Sequence, residues 1–220
     1  MERLKNKPLL KGAFCITTFI FWTILIQTVD VQPVGVNETD VGFAALNCRF
    51  HRMTGTNMTL YLITDWLGLV PVFLCMAFAT LGLIQWIKRK NLLQVDADIL
   101  LLGIYYVIVI FAYLIFEMVP INYRPILIAG RMEASYPSST TLLVLSVMPT
   151  LLFQADRRLK NTSARNIIRI FTIFFSTFMV IGRLLSGVHW FTDIVGSVML
   201  SAGLFYTYKA FVLSYGRKKQ

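Results

Sequence analysis

Charged side chains are scarce in this sequence. They make up 15% of its 220 residues, and hydrophobic residues make up 56%, whereas charged residues average about a quarter of a soluble protein. There are only three cysteines, and Cys15 and Cys75 lie in apolar runs, so a disulfide framework is excluded. Internal repeats, low-complexity tracts and a composition shift that would mark a second domain are also lacking. We therefore predict one integral membrane unit over residues 1–220.

Six apolar runs approach or exceed the roughly 20 residues that cross a bilayer as a helix. They lie at about residues 13–29, 67–87, 99–119, 138–155, 167–185 and 190–208. This pattern predicts an all-α integral membrane protein with six transmembrane helices. The longest polar interval, about residues 30–65, is interpreted as an outer loop with a short interfacial helix, and Asp65 at its end as a helix cap.

The net charge of +10 does not indicate nucleic-acid binding, because the basic residues lie between apolar runs and not on one soluble face. Most of the 21 basic residues fall in alternate segments. The opposite set holds only five of them, Arg49, Arg52, Arg124, Arg131 and Arg183. By the positive-inside rule, both termini are predicted to be cytoplasmic and these five arginines to face outward. The prediction is a multi-pass cell-membrane protein whose partner is the lipid bilayer. The sequence does not indicate an oligomeric state.

Three ionisable residues, Arg183, His189 and Asp193, stand in or beside the last two apolar runs. Charge at membrane depth is costly, so such residues indicate a functional site. His189 and Asp193 are four residues apart and would share a face if both lay on one helix, where the carboxylate could orient the imidazole. The alternative is that the two only satisfy each other within the bundle, but three such groups at one helix end are hard to explain by packing alone.

A second group of polar residues precedes and begins the fourth apolar run. Arg124 and Arg131 lie in the loop, and Ser138, Ser139 and Thr140 follow a proline at the expected helix start. A helix start presents unpaired N–H groups and a positive dipole end, which favour anions, although simple capping is the alternative. Arginines and such amides bind phosphate, and a neutral imidazole held by a carboxylate can attack phosphorus. These residue types indicate phosphoryl transfer.

The same residues resemble the type-2 phosphatidic-acid phosphatase family of membrane enzymes. Its signature is Lys-x6-Arg-Pro, then Pro-Ser-Gly-His, then Ser-Arg-x5-His-x3-Asp. The third motif is present here as Gly182-Arg183, with His189 and Asp193 at the family's spacing. The resemblance implies a six-helix core over about residues 60–210 with its site on the outer face.

The resemblance also implies a role for each matched residue. His189 would be the nucleophile that forms a phosphohistidine, and Asp193 would orient it. Arg124 and Arg183 would clamp the phosphate, and Ser138, with the amides near Ser139, would donate to it. This chemistry requires no metal and no organic cofactor.

Four positions depart from the family pattern. Glu117 stands where the family has lysine, Ser139 where it has glycine, Thr140 where it has the histidine that protonates the leaving group, and Gly182 where it has serine. Arg131 is a further candidate that could supply the positive charge missing at Glu117. Loss of a general acid usually costs about 10²–10⁴ in rate, and least when the leaving group is a weak base. A preference for diphosphates over monoesters is therefore expected.

The function predicted from sequence is a membrane lipid phosphatase or phosphotransferase that acts on a lipid phosphate or diphosphate at the extracytoplasmic face. The alternative is a catalytically weak relative that binds a phospholipid or polyprenyl phosphate without turnover. A transporter or channel component is a third interpretation, which charges at the middle of the membrane would favour. The charges here lie at helix ends instead.

Overall fold

The computed structural model describes residues 7–217, and helices dominate that range. In chain order the helices are α1 Lys7–Thr28, α2 Ala44–Thr54, α3 Met58–Leu67, α4 Leu69–Arg89, α5 Ala97–Met118, α6 Ser139–Arg158, α7 Thr162–Leu185 and α8 Phe191–Arg217.

Within residues 7–217, six helical stretches are long and apolar enough to cross a membrane. They are Lys7–Thr28, Met58–Arg89, Ala97–Met118, Ser139–Arg158, Thr162–Leu185 and Phe191–Tyr215. The predicted all-helical membrane class and the number of spans are thus confirmed. The second span is composite: α3 and α4 follow each other directly, with Gly68 in helical backbone conformation between them. The predicted cytoplasmic position of both termini stays a prediction, and four basic residues on which it depends, Arg3, Lys5, Lys218 and Lys219, lie outside the described residues.

The interval 30–65, predicted to be an outer loop with a short interfacial helix, contains the helix α2 and most of α3. The side of the membrane on which it lies stays a prediction. Asn47 on α2 is buried, and its amide donates to the hydroxyl of Thr192 at 3.0 Å, which ties α2 to α8. The cap of α3 is Asn57, whose side chain accepts from the N–H of Leu60 at 2.9 Å. Asp65 lies inside α3 and is not a cap. The helix α2 has 11 residues and α3 has 10, so neither is long enough to give a membrane-spanning apolar run of its own.

Packing places α6 at the centre of the bundle, against α7 and α8, while α1 runs along α8. The buried side chains of α6 include Leu142, Val144 and Met148. Leu142 packs in one cluster with Phe19 and Leu200. The start of α6 and the junction of α7 and α8 are therefore held at one end of a packed core.

An ion-pair network marks the other end of the bundle. Arg158 at the end of α6 donates to Asp96 at 3.0 Å and to Asp98 at 2.8 Å, both at the start of α5. Arg89 at the end of α4 pairs with Asp96 at 2.8 Å. These side chains are partly exposed, so the network ties helix ends together without adding much stability.

Candidate functional site

A tight turn between α7 and α8 holds His189. Gly187 in this turn has φ = +68°, and a Cβ atom there would lie 1.8 Å from the carbonyl oxygen of Gly55. The N–H of Asn57 donates to the carbonyl of Ser186 at 2.9 Å. The turn is therefore pressed against the α2–α3 junction at a point where only glycine fits, and this fixes His189.

The hydrogen bonds of His189 define its tautomer. Its Nδ1 lies 3.1 Å from the backbone carbonyl oxygen of Ser135, which can only accept, so Nδ1 is assigned the proton. Its Nε2 is buried and has no hydrogen-bond partner among the described residues. Burial lowers the pKa of His189 well below its ordinary value of 6.5, and the charges of Arg124 and Arg183 lower it further. The ring is therefore neutral and its Nε2 lone pair is available.

Asp193 supports this ring indirectly. The distance from Asp193 Oδ2 to His189 Nδ1 is 3.8 Å, too long for a direct hydrogen bond. The Ser135 hydroxyl bridges the gap, donating to Oδ2 at 2.5 Å and lying 3.1 Å from Nδ1. Oδ2 also accepts from the N–H of Trp190 at 2.9 Å, and Oδ1 from Asn122 at 3.1 Å. The two residues do not share one helix, since His189 precedes α8 and Asp193 lies in its first turn.

The two arginines of the site share one aromatic neighbour. The guanidinium carbon of Arg183 lies 4.8 Å from the ring centroid of Tyr61, and that of Arg124 lies 5.9 Å from the same centroid, within the range of a cation–π contact. Arg183 is 1% exposed at the end of α7. Nε of Arg183 and both Nε and Nη1 of Arg124 are buried without hydrogen-bond partners among the described residues. Buried guanidinium donors without partners are suited to phosphate oxygens.

Each arginine also has a carboxylate beside it. Asp65 Oδ1 lies 3.7 Å from Arg183 Nη1, and the Asp65 side chain is 54% exposed. Glu133 Oε2 lies 3.2 Å from Arg124 Nε, without the alignment of a hydrogen bond. The two carboxylates reduce the positive charge at the rim of the site.

The start of α6 lies next to Asp193. Ser138 is buried, its hydroxyl donates to Thr141 at 3.1 Å, and its N–H donates to the Asp193 carbonyl at 3.4 Å. Ser139 and Thr140 are half-buried and line a cavity of about 280 Å³ between α4, α5 and α6. Of the residues predicted from sequence, Arg124, Ser138, Arg183, His189 and Asp193 come together at this end, and Ser139 and Thr140 lie in the adjoining cavity.

Two further candidates lie at the periphery. Glu117 is exposed near the C-terminal end of α5 and lines a shallow pocket with Tyr113 and Ser139. Arg131 is exposed in a loop where its backbone pairs with that of Ile128. Within residues 7–217, no ion pair joins Glu117 to Arg131, and no group of three or more metal-binding side chains occurs.

Sequence reasoning missed four residues of the site: Tyr61, Thr64, Asn122 and Ser135. Tyr61 and Thr64 did leave a signal, because with Asp65 they form a polar face of an otherwise apolar helix at spacings of three and four. Asn122 and Ser135 have no comparable signal in the sequence. They meet because the N–H of Ser135 donates to the carbonyl of Asn122 at 3.0 Å, closing the loop on itself.

The fold and site define a multi-pass membrane protein with a polar site at one end of its bundle. Residues 119–216 match the model of the PAP2 superfamily, and this confirms the resemblance inferred from sequence. The matched range contains Arg124, Arg183, His189 and Asp193, and begins after Glu117. No curated protein matches this sequence.

The fold is similar to the crystal structure of a transmembrane PAP2-type phosphatidylglycerolphosphate phosphatase from Bacillus subtilis. The TM-score is 0.65 at 17% identity, and the match covers 96% of this chain and 98% of that chain. This similarity extends over nearly the whole of both chains, so it includes α2 and α3 as well as the range of the family match.

Proposed function

We propose that the protein is a lipid phosphatase of the membrane, which acts on a lipid phosphate or diphosphate through a phosphohistidine at His189. The observation that carries the proposal is the state of this residue: a neutral, buried imidazole with Nδ1 held by Ser135 and Nε2 unpartnered, close to two arginines. The PAP2 match, and a structural relative described as a phosphatidylglycerolphosphate phosphatase, support the substrate class.

In the proposed reaction, Arg124 and Arg183 bind the phosphate oxygens through their free N–H groups and stabilise the charge of the transition state. His189 Nε2 attacks phosphorus, the bond from phosphorus to the leaving oxygen breaks, and the ring becomes positively charged. The Ser135 carbonyl accepts from Nδ1–H while the Asp193 carboxylate lies nearby, so both favour that charge. Water then attacks phosphorus, the P–N bond breaks, and phosphate leaves with neutral His189 restored.

The distribution of basic residues supports an extracytoplasmic position for this site. The arginines of the site belong to the segments that are poor in basic residues, and Arg158 at the other end of the bundle belongs to the rich ones. We therefore propose that the lipid head group is processed on the outer leaflet of the cell membrane.

A second candidate function is binding of a lipid phosphate without turnover. Two observations favour it. Threonine occupies position 140, where the resemblance implies an acid, and a carboxylate lies beside each phosphate-binding arginine.

Phosphate release by the purified protein in detergent tests both functions. We expect release from some members of a panel of lipid monophosphates and diphosphates, and none from His189→Ala. Asp40→Asn, in the exposed loop before α2, is a control expected to match the wild type. Near-normal turnover by His189→Ala would exclude the covalent step. Binding of the lipids without release of phosphate by the wild type would favour the second function.

A further inference from the structure

A polar face of α3 contacts the buried arginine of α7. Tyr61 lies under the guanidinium of Arg183, and the Thr64 hydroxyl lies 3.4 Å from Arg183 Nη1. Asp65 Oδ1 lies 3.7 Å from the same nitrogen. Because these three residues precede position 119, they lie outside the range that matches the PAP2 superfamily.

Gly182 is what allows α3 to come so close. A Cβ atom on Gly182 would lie 2.7 Å from the Thr64 methyl group, closer than two carbons approach without a shift of one helix. Position 182 is also where the sequence departs from the serine of the third motif. This departure and the polar face of α3 therefore belong together: a larger residue at 182 would move Asp65 away from Arg183.

The departure at Thr140 lies at the same cavity as Asp65. Asp65 and Thr140 line one cavity of about 280 Å³, whose other walls are mainly apolar. They also flank Gly68, where a Cβ atom would lie 3.5 Å from Thr140 Cγ2 and 2.8 Å from the Asp65 carbonyl oxygen. Asp65 thus contacts Arg183 through its carboxylate and lines the same cavity as the position at which the resemblance implies a leaving-group acid.

We propose that Asp65 is the group that protonates the leaving oxygen in this protein. The proposal rests on the proposed function and names a catalytic residue for it. As His189 Nε2 bonds to phosphorus, the bond to the leaving oxygen breaks and the Asp65 proton passes to that oxygen, which departs as an alcohol or as a phosphate. In the second step the Asp65 carboxylate takes a proton from the attacking water, and the P–N bond breaks.

In the free protein Asp65 lies beside the positive charge of Arg183, with Oδ1 3.7 Å from Nη1. A phosphate bound by Arg183 would therefore lie within reach of the same carboxyl group, which is where a proton donor to the leaving oxygen has to stand.

The other carboxylates near the site are less well placed. Glu133 lies beside Arg124, which is contributed by the loop before α6. Glu117 is exposed and lines a different pocket, which contains Ser139 but not Thr140. Asp65 alone among the three lines the cavity that contains Thr140.

Leaving-group dependence tests the proposal, because a general acid matters for a basic leaving oxygen and hardly at all for a weakly basic one. We expect Asp65→Asn to lose about 10²–10⁴ in kcat/KM on octyl phosphate and to stay within a few-fold of the wild type on 4-nitrophenyl phosphate. Asp40→Asn repeats the same chemical change in the exposed loop before α2 and should alter neither rate. Glu117→Gln tests the competing assignment, in which Glu117 is the acid. We expect this variant to leave the ratio of the rates on octyl phosphate and 4-nitrophenyl phosphate unchanged.

Each outcome decides between the assignments. Equal losses by Asp65→Asn on both esters would show that Asp65 only positions Arg183, and would overturn the acid role while leaving the phosphatase intact. A selective loss in Glu117→Gln would transfer the role to Glu117. A wild type that hydrolyses neither ester nor any lipid phosphate overturns the proposed function itself, and the acid role with it. Thermal unfolding of each variant in detergent shows whether a loss reflects misfolding.

Discussion

Asp193 lies 3.8 Å from His189 Nδ1, and the Ser135 hydroxyl stands between them. The spacing of four residues had suggested direct contact on one helix. The structure instead places a loop residue, 54 positions before the histidine, as the link between carboxylate and ring. The ring is therefore positioned by three groups, namely the Ser135 hydroxyl, the Ser135 carbonyl and Asp193.

Ser135→Ala should reduce activity moderately. The variant removes the bridge to Asp193 and keeps the backbone carbonyl that accepts from Nδ1, so the tautomer is retained. A net hydrogen bond is worth about 1 kcal/mol, which corresponds to about a fivefold fall in kcat. Single-turnover phosphate release measures it. A loss as large as that of His189→Ala would mean that the hydroxyl does more than position the ring.

Asp193→Asn should cost far more than Ser135→Ala. An amide removes the negative charge that favours the charged ring in the intermediate. The same change in the serine-protease triad costs about 10⁴ in kcat. The measurement is kcat on one lipid substrate for both variants, with folding checked by thermal unfolding. A smaller effect for Asp193→Asn than for Ser135→Ala contradicts the proposed role of the carboxylate.

The buried state of His189 predicts a dependence of stability on pH. Its pKa in the folded protein lies well below 6.5, whereas an unfolded histidine titrates near 6.5. Below that pH the unfolded chain binds the extra proton, so this group lowers the free energy of unfolding as the pH falls, by at most about 1.4 kcal/mol per pH unit. His189→Gln should remove that contribution.

Thermal unfolding of wild type and His189→Gln between about pH 5 and pH 7.5 checks this expectation. The difference between the two proteins isolates the histidine, since all other titrating groups are common to both. The wild type should lose stability relative to the variant on acidification. A constant difference over this range would show that His189 titrates normally and is not buried among positive charges.

Gly187→Ala should destabilise the turn that carries His189. Alanine at positive φ costs about 1–2 kcal/mol, and its Cβ would also meet the Gly55 carbonyl oxygen at 1.8 Å. Gly130→Ala is a matched control: its φ is +74°, and no atom lies within 4 Å of the Cβ position. We expect a clearly larger fall in Tm, and in phosphate release, for Gly187→Ala. Equal effects would mean that the close approach is relieved at little cost.

The features of the fold and of the site that could be predicted from the sequence are those that have a local sequence pattern. The six spans were visible because each is a long apolar run, and Arg183, His189 and Asp193 because a fixed spacing joins them in one short segment. Ser135 enters the site through loop closure, with its N–H on the Asn122 carbonyl, and no spacing encodes that contact.

The polar face of α3 was partly visible and was misinterpreted. Asp65 stands just before a long apolar run, where an acidic residue is usually a cap. Its real position depends on how closely α3 approaches Gly182, and that distance is a property of tertiary packing. The sequence shows Gly182 only as a departure from a motif. Its effect on how closely α3 can approach α7 is visible only in the structure.

The last prediction concerns Thr140→His, the change that restores the family's residue. With no acid in the site, the substitution would raise hydrolysis of a monoester more than that of a diphosphate, as the sequence alone suggested. Because Asp65 lines the same cavity as Thr140, this expectation changes. If Asp65 already protonates the leaving oxygen, Thr140→His should alter the ratio of the two rates only a few-fold in the wild type.

The double variant separates the two cases. In Asp65→Asn, Thr140→His should recover monoester hydrolysis by about 10²-fold or more, because the new imidazole has the cavity beside Gly68 available and faces no competing acid. The four proteins form a double-mutant cycle, whose interaction term is large only when both residues serve one function. Matched monoester and diphosphate lipids, assayed at one pH, give that term directly. Additive effects of the two substitutions would mean that Asp65 and position 140 act independently. A large gain in monoester hydrolysis from Thr140→His alone would show that the natural site lacks an acid.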